Sequence, residues 1–229
     1  MQQTDLTQHA HLTRQLDLIP MECLRMPVTI IGCGAIGSFL GLQLAKMGVT
    51  NLKLYDHDTV SIENMSNQFF RFKDIGKTKS SALHDIVADF TGVPTQHNLK
   101  FEASHALTQA GIVVVAVDSM EARRMVYESI RKTGFRVKYI IDPRMSAEAF
   151  NMYVINPFDP KDCATYEKTL FTDAEGVQER CTAKSTVYTA SLGAGLVTKA
   201  IKNILLKQQY PRVTMWDIAS CVPMHMWGN

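Results

Sequence analysis

Several features are missing from this chain, and each absence narrows what it can be. No apolar run reaches the roughly 18–20 residues that a membrane-spanning helix requires, so a membrane protein is not expected. The N-terminus is polar, which argues against a secretory signal. The five cysteines, Cys23, Cys33, Cys163, Cys181 and Cys221, are odd in number and scattered, and none forms a C-x-x-C pair. That excludes a disulfide framework and fits a reducing cytosol, so a cytoplasmic location is expected. The seven histidines show no metal-ligand spacing. Net charge is only +2, so nucleic acid or an anionic membrane is not an expected partner. The stretch 121–150 is mildly basic (Arg123, Arg124, Arg131, Lys132, Arg136, Lys138, Arg144) and reads as a solvated helix face. Internal repeats and low-complexity segments are also lacking.

The 229 residues, 46% hydrophobic and 20% charged, suit one α/β domain with a substantial core. Its organising stretch is Val28 to Asp58, VTIIGCGAIGSFLGLQLAKMGVTNLKLYDHD. Val28 to Ile31 reads as a buried strand, followed by Gly32, Gly34 and Gly37 in G-x-G-x-x-G spacing and by a helix to about Met47. Leu52 to Tyr55 reads as a second strand ending at Asp56. The first glycine permits a tight turn, the second lets backbone N–H groups approach phosphate, and the third lets helix and strand pack closely. Phosphate would lie at the helix N-terminus, where unpaired N–H groups favour anions. Asp56 stands where an acid holds ribose hydroxyls. The pattern points to a nucleotide without saying which.

Along the rest of the chain, His11 to Ile19 has helical spacing, with Arg14 and Gln15 off its apolar face, and Pro20 ends it. A polar stretch follows Asp56 and carries Asp58, Asn64, Asn67, Gln68, Arg71, Lys77 and Lys79. Helical periodicity resumes at Ala82, Leu83, Ile86, Val87 and Phe90. Lys79 opens this helix, where a cation opposes the helix dipole, so a bound anion would account for it. Gln96 to Phe101 suits an edge strand. Gly111 to Val117, GIVVVAV, reads as a central parallel strand, with Asp118 at its C-terminal end, where open α/β sheets bind ligands. Asp118 there is able to cap the helix Ser119–Arg131 or to coordinate magnesium. Strands are expected at Val137–Ile141, Ala149–Ile155 and Val213–Ile218, the last ending the chain. Between them, 156–184 reads as a long crossover loop, and Ser185–Leu206 as a helix whose Gly193 and Gly195 imply close packing or a dimer contact. The fold class is thus α/β, a Rossmann-like, mostly parallel sheet with helices on both faces, extended by mixed or antiparallel strands. It forms one domain over 1–229, with an N-terminal arm over 1–20.

Five motifs in order carry a family resemblance. They are T-R-Q at 13–15, the glycine motif, LYDHDTVSIEN at 54–64, F-R-x-x-D-I-G-K-x-K at 70–79, and Asp118 after its strand. With them the chain resembles the ThiF/MoeB-type enzymes that adenylate ubiquitin-like proteins. The likeness implies that the C-terminal glycine carboxylate of a ubiquitin-like or sulfur-carrier protein attacks the α-phosphate of ATP. Asp56 would then hold the ribose; Asp58, Asn64 and Gln68 would line the pocket; Lys79 would contact phosphates; and Asp118 would bind magnesium. Arg14 would reach the partner subunit's phosphates in a homodimer. Cys181, preceding a small-residue helix and flanked by Arg180 and Lys184, would be a sulfur nucleophile giving a thioester or acyl persulfide.

Two departures stand out. The family's N-x-x-R-Q is here Asn64-Met65-Ser66-Asn67-Gln68, so an arginine is missing, and Arg71 is the nearest substitute cation. The paired C-x-x-C motifs that bind a structural zinc in many relatives are absent, so no zinc is expected. Alternatives from the same chemistry are adenylation of a small carboxylate, a peptide or a tRNA base. A scaffold subunit with a weakened site is another. A nicotinamide-dependent oxidoreductase would use Asp56 but leave Lys79, Asp118 and Arg14 without roles.

Overall fold

The computed structural model describes residues 10–98, 101, 111–132, 137–171 and 185–227. Among these residues eight strands form one sheet: β1 (Val28–Ile31), β2 (Leu52–Tyr55), β3 (Gln96–Asn98), β4 (Ile112–Val115), β5 (Tyr139–Ser146), β6 (Ala149–Ile155), β7 (Pro211–Asp217) and β8 (Val222–Trp227). Among the described residues five α-helices accompany them: α1 (Ala35–Met47), α2 (Lys79–Thr91), α3 (Met120–Lys132), α4 (Pro160–Glu167) and α5 (Val187–Leu205). Strand order is β3-β2-β1-β4-β5-β6-β7-β8. The first five strands are parallel, and β5 to β8 are antiparallel.

Every residue of β1, β2 and β4 is buried. A parallel strand covered on both faces needs a mostly apolar composition; Thr29 and Lys53 are the buried polar exceptions in these three strands. One face of the sheet packs on α1, α2 and α5 through Leu40, Leu44, Leu83, Val87, Val197 and Ile201. The other packs on α3 and α4 through Val126, Ile130, Cys163 and Tyr166. Truncating a fully buried leucine such as Leu40 to alanine is expected to cost about 2–5 kcal/mol. Helices α1 and α2 both stop at a glycine with positive φ, Gly48 and Gly92, the left-handed conformation that ends helices cheaply only without a Cβ.

The expected strands at 28–31 and 52–55 and the helix ending at Met47 match the observed elements, as does the mixed sheet. Four expectations need correction. Residues Ala10–Gln15 form a 3-10 helix rather than an α-helix to Ile19; Leu12 is buried against Gly48, which anchors the turn. Within the expected crossover loop lies α4. Asp159 caps it by accepting from the Lys161 N–H at 2.9 Å, and Pro160 occupies its first turn, a start signal legible in the sequence. Strand β5 runs on to Ser146 through Pro143. Its pairing with β4 ends at Ile141, so the missing proline N–H removes no bond to that neighbour. Finally, β8 follows β7, although it contains Pro223 and residues 222–226 are all exposed, so no buried face marks it as a strand. Among the described residues no helix is long and apolar enough to cross a membrane.

Candidate nucleotide site

The order β2-β1-β4 places a topological switch at β1, where the chain leaves on one side for β2 and later returns on the other as β4. A crevice opens at the carboxyl ends of such strands. The three glycines stand there for three different reasons. Gly32 has φ +94°, and a Cβ on it would sit 2.3 Å from the Ala116 carbonyl oxygen, so the β1 turn lies against the end of β4. A Cβ on Gly37 would lie 2.0 Å from the Gly32 oxygen, which closes the turn onto the first turn of α1. A Cβ on Gly34, in contrast, meets nothing within 4 Å. The second glycine therefore faces open space at the N-terminus of α1, which suits the approach of a phosphate.

Asp56, at the end of β2, is tied to this turn. Its Oδ2 accepts from the Cys33 N–H at 2.6 Å and its Oδ1 from the Asp58 N–H at 2.8 Å. Burial nevertheless pushes its carboxyl up from the ordinary range, against those two bonds and the nearby Lys79. Residues 58–79 then make an excursion closed at its base. Lys79 N–H donates to the Asp58 carbonyl at 2.8 Å, Val60 N–H to the Lys77 carbonyl at 2.8 Å, and Ser80 Oγ to the Asp56 carbonyl at 3.1 Å. Lys79, nearly buried, places its Nζ 2.8 Å from Asp58 Oδ2. Its cation at a helix start thus has a local partner. That hydrogen bond holds Asp58 below the usual carboxylate range, with burial opposing it. Asp56, His57 and Asp58 set ligand atoms within 4.8 Å of one another, but Asp58 is already engaged by Lys79.

At the far end of the excursion, Phe69 N–H donates to Ser38 Oγ at 2.9 Å, which brings Asn67 and Gln68 to the first turn of α1. Asn67 Nδ2 donates to Ser185 Oγ, at the approach to α5. Asn67 Oδ1 and Gln68 Oε1 are buried without a hydrogen-bond partner. Two orphaned acceptors at one place are costly unless a ligand supplies donors. Asn64 has a local role as well: its Oδ1 accepts from the Ser61 N–H at 3.0 Å. The open space at Gly34 and the hard oxygen donor at Asp118 fit a phosphate chain with magnesium, and these acceptors suit the hydroxyl or amino donors of a nucleoside.

Asp118 is exposed three residues beyond the last residue of β4. It does not cap α3; Ser119 Oγ takes that role, accepting from the Ala122 N–H at 3.1 Å. Arg71 is no substitute for the missing arginine, because its guanidinium is bound to Asp74 at 2.7 and 3.0 Å and to Asp89 as well. Arg14 is exposed and stands apart from the other site residues. Its neighbour Gln15 donates to the carbonyls of Lys46 and Met47 at 3.1 and 3.0 Å, at the C-terminal end of α1. The glycines lie at the other end, roughly 20 Å away for a helix of 13 residues at about 1.5 Å each. Cys181, Arg180 and Lys184 lie outside the described residues. Cys33 and Cys163 are buried packing groups; burial and then Asp56 push the Cys33 thiol up, which makes it inert. Gly193 packs on Phe150, whose ring would lie 2.6 Å from an added Cβ, whereas Gly195 faces a groove of about 570 Å³ between α1 and α5.

The basic stretch at 121–150 is not simply a solvated face. Arg123 and Arg144 are tucked in against Asp142, which is wholly buried. Arg124 and Arg131 donate to the carbonyls of Leu170 and Pro157. No sequence signal joins Arg123 to Asp142, because they come from a helix and a strand 19 residues apart.

This arrangement has counterparts. The chain is 30% identical over 205 residues to ubiquitin-like modifier-activating enzyme 5 of Oryza sativa subsp. japonica, covering 79% of this chain and 48% of that protein. It is 36% identical over 104 residues to the NEDD8-activating enzyme E1 catalytic subunit of Dictyostelium discoideum, covering 43% of this chain and 24% of that one. It thus spans about half the length, or less, of these curated relatives. Among solved structures, PaaA superposes with a TM-score of 0.74 at 16% identity, covering 99% of this chain and 84% of that one. MccB of E. coli, solved with ATP, superposes with a TM-score of 0.69 at 15% identity, covering 90% of this chain and 65% of that one; at such identities the likeness concerns the fold. The ThiF family pattern matches residues 20–223, nearly the whole described fold, and the chain belongs to the ThiF family.

Proposed function

We propose that this chain binds ATP in the β1–β2–β4 crevice and adenylates the C-terminal glycine carboxylate of a ubiquitin-like or sulfur-carrier protein. The observation that carries the reading is the meeting of Lys79, Asp56 and Asp58 beside a glycine loop whose second glycine faces open space. A carboxylate oxygen attacks the α-phosphorus, the bond to the bridging oxygen breaks, and pyrophosphate leaves with that electron pair. Both reactants are anions, so the task is to reduce repulsion in a partly dehydrated site. Lys79 supplies positive charge, and Asp58 holds its ammonium in place until phosphate competes for it. Asp56 keeps the Cys33 turn shaped and offers its remaining acceptor capacity to ribose hydroxyls. Asn64 and Gln68 line the same pocket. Asp118 would hold magnesium, which neutralises phosphate charge when bound.

With Asn67 uncharged and Arg71 committed elsewhere, a second cation has to come from another element. Arg14 lies too far away to serve its own chain, and in a homodimer it would serve the partner's site. A following step would exchange AMP for the Cys181 thiolate. The curated relatives' names favour this reading over an oxidoreductase, a small-carboxylate enzyme or a scaffold subunit.

Pyrophosphate exchange tests the reaction. Purified protein with Mg-ATP and a β-grasp protein ending in glycine should return labelled pyrophosphate to ATP; NAD binding without ATP binding would overturn the proposal. Mixing Arg14→Ala with Lys79→Ala protein should restore part of the exchange lost by each; mixed dimers without rescue rule out action across subunits. A thiol-reducible conjugate should form in wild type and vanish in Cys181→Ala; equal yields would reject the second step.

A further inference from the structure

The loop that presents Asp118 belongs neither to the sheet nor to a helix. The last link to the sheet is Ala116 N–H to the Ile31 carbonyl, at 2.8 Å, and α3 starts at Met120. The backbone carbonyls between these points need partners of their own. One guanidinium reaches two of them, the second of which, at Ser119, also accepts from the Arg123 backbone N–H at 3.2 Å. Arg123 Nη2 donates to the Val117 carbonyl at 2.7 Å, and Arg123 Nη1 donates to the Ser119 carbonyl at 3.3 Å. These two carbonyls flank Asp118.

The guanidinium is itself fixed from behind. Arg123 Nε donates to Asp142 Oδ1 at 2.7 Å, and Asp142 has no exposure at all. Its other oxygen, Oδ2, accepts from Arg144 Nε at 2.9 Å and from the Tyr166 hydroxyl at 2.8 Å. Arg144 in turn is held by the Thr169 carbonyl and hydroxyl, both at 2.9 Å, and lies over the Tyr153 ring. A planar fork with fixed donor directions reaches two carbonyls and a carboxylate at once; an ammonium does not.

We propose that Arg123, oriented by Asp142, is a positioning residue for Asp118. By gripping the carbonyls on both sides it sets the direction in which the Asp118 carboxylate leaves the loop, and so the strength with which the site takes a divalent cation together with nucleotide. This inference rests on the nucleotide reading above. Groups that orient a metal-binding side chain are worth about 10–100-fold in metal affinity, so the effect is measurable without turnover.

The test is binding of a non-hydrolysable ATP analogue titrated with magnesium, in wild type, Arg123→Lys, Asp118→Asn and the double variant. Arg123→Lys keeps the charge and loses the fork. It should raise the magnesium concentration needed for half-maximal tightening by about tenfold, with metal-free nucleotide affinity unchanged. In the Asp118→Asn background the same substitution should add nothing, because the group it positions is gone. Full additivity of the two changes, or an unaltered magnesium dependence in Arg123→Lys, overturns the proposal while leaving the nucleotide site intact. Absence of nucleotide binding in wild type overturns the underlying reading instead. Should Arg123→Lys fail to fold, Tyr166→Phe removes one bond to Asp142 and should give a smaller shift in the same direction; no shift there, in a folded protein, counts against the proposal.

Discussion

At the carboxyl ends of β1, β2 and β4, buried polar atoms stand without protein partners. Asn67 Oδ1 and Gln68 Oε1 have none, and burial pushes Asp56 up despite its two backbone bonds. A short way along the same sheet, Asp142 on β5 is more deeply buried, yet both its oxygens are bonded, to Arg123, Arg144 and Tyr166. The two places contain similar chemistry and handle it differently. Satisfied buried networks rigidify a fold. Unsatisfied ones are tolerated where a ligand completes them. The contrast separates what this protein holds ready from what it uses to stay in shape.

Breaking the satisfied side should cost most. Asp142→Ala leaves two arginines without their buried counter-charge, and a loss of about 3–5 kcal/mol is expected, seen as a large drop in melting temperature. A change under about 1 kcal/mol would mean that the network is solvated in solution.

On the ligand side the damage should be to activity instead. Lys79→Ala should lower pyrophosphate exchange by about 10²–10³-fold with little loss of thermal stability; a collapse of thermal stability would place Lys79 with the structural network instead.

Asp74 offers an intermediate case. It is wholly buried, which pushes its carboxyl up, but the Arg71 fork and Lys77 outweigh that and hold it below the usual range. A depressed folded pKa contributes stability above the ordinary carboxylate value, and that contribution is lost as pH falls through the folded value. Arg71→Leu should therefore cost about 1–3 kcal/mol at neutral pH. In melts run from pH 7 downwards, its gap to wild type should close below about pH 4; a gap independent of pH would assign the loss to packing alone.

The smallest stability effect should come from Gly34→Ala, within about 0.5 kcal/mol, because its added Cβ meets open space. Nucleotide affinity should nevertheless fall. Gly37→Ala, with its Cβ 2.0 Å from a backbone oxygen, should destabilise by about 1–3 kcal/mol. If the two variants behave alike, the second glycine does not border the ligand.

The parallel half of the fold was largely legible. Strands β1, β2 and β4 are short, mostly apolar runs because both their faces are covered, and a glycine or an acid follows each of them. The antiparallel half was less so. Pro143 hid the length of β5, and β8 carries Pro223 and has no buried face over 222–226. The Asp-Pro start of α4 was a readable signal that the polar composition around it obscured. In the site, Asp56 and the glycines are read from spacing, Lys79 from its place at a helix start, and Asp58 from the family resemblance. Arg123 is not, since its partner Asp142 lies on a separate element and nothing local distinguishes it from a surface arginine.

By itself the sequence determined the strands of the parallel half, the glycine turn and the family, because these depend on composition and spacing within a few residues. Tertiary structure alone decided which charges meet. It gave Lys79 to Asp58, withheld Arg71 by binding it to Asp74 and Asp89, set Arg14 at the wrong end of α1 for its own site, and placed Arg123 under Asp118. The reason is that ion pairs and hydrogen bonds act over a few ångströms in space, and chain order does not encode which distant segments the sheet will bring that close.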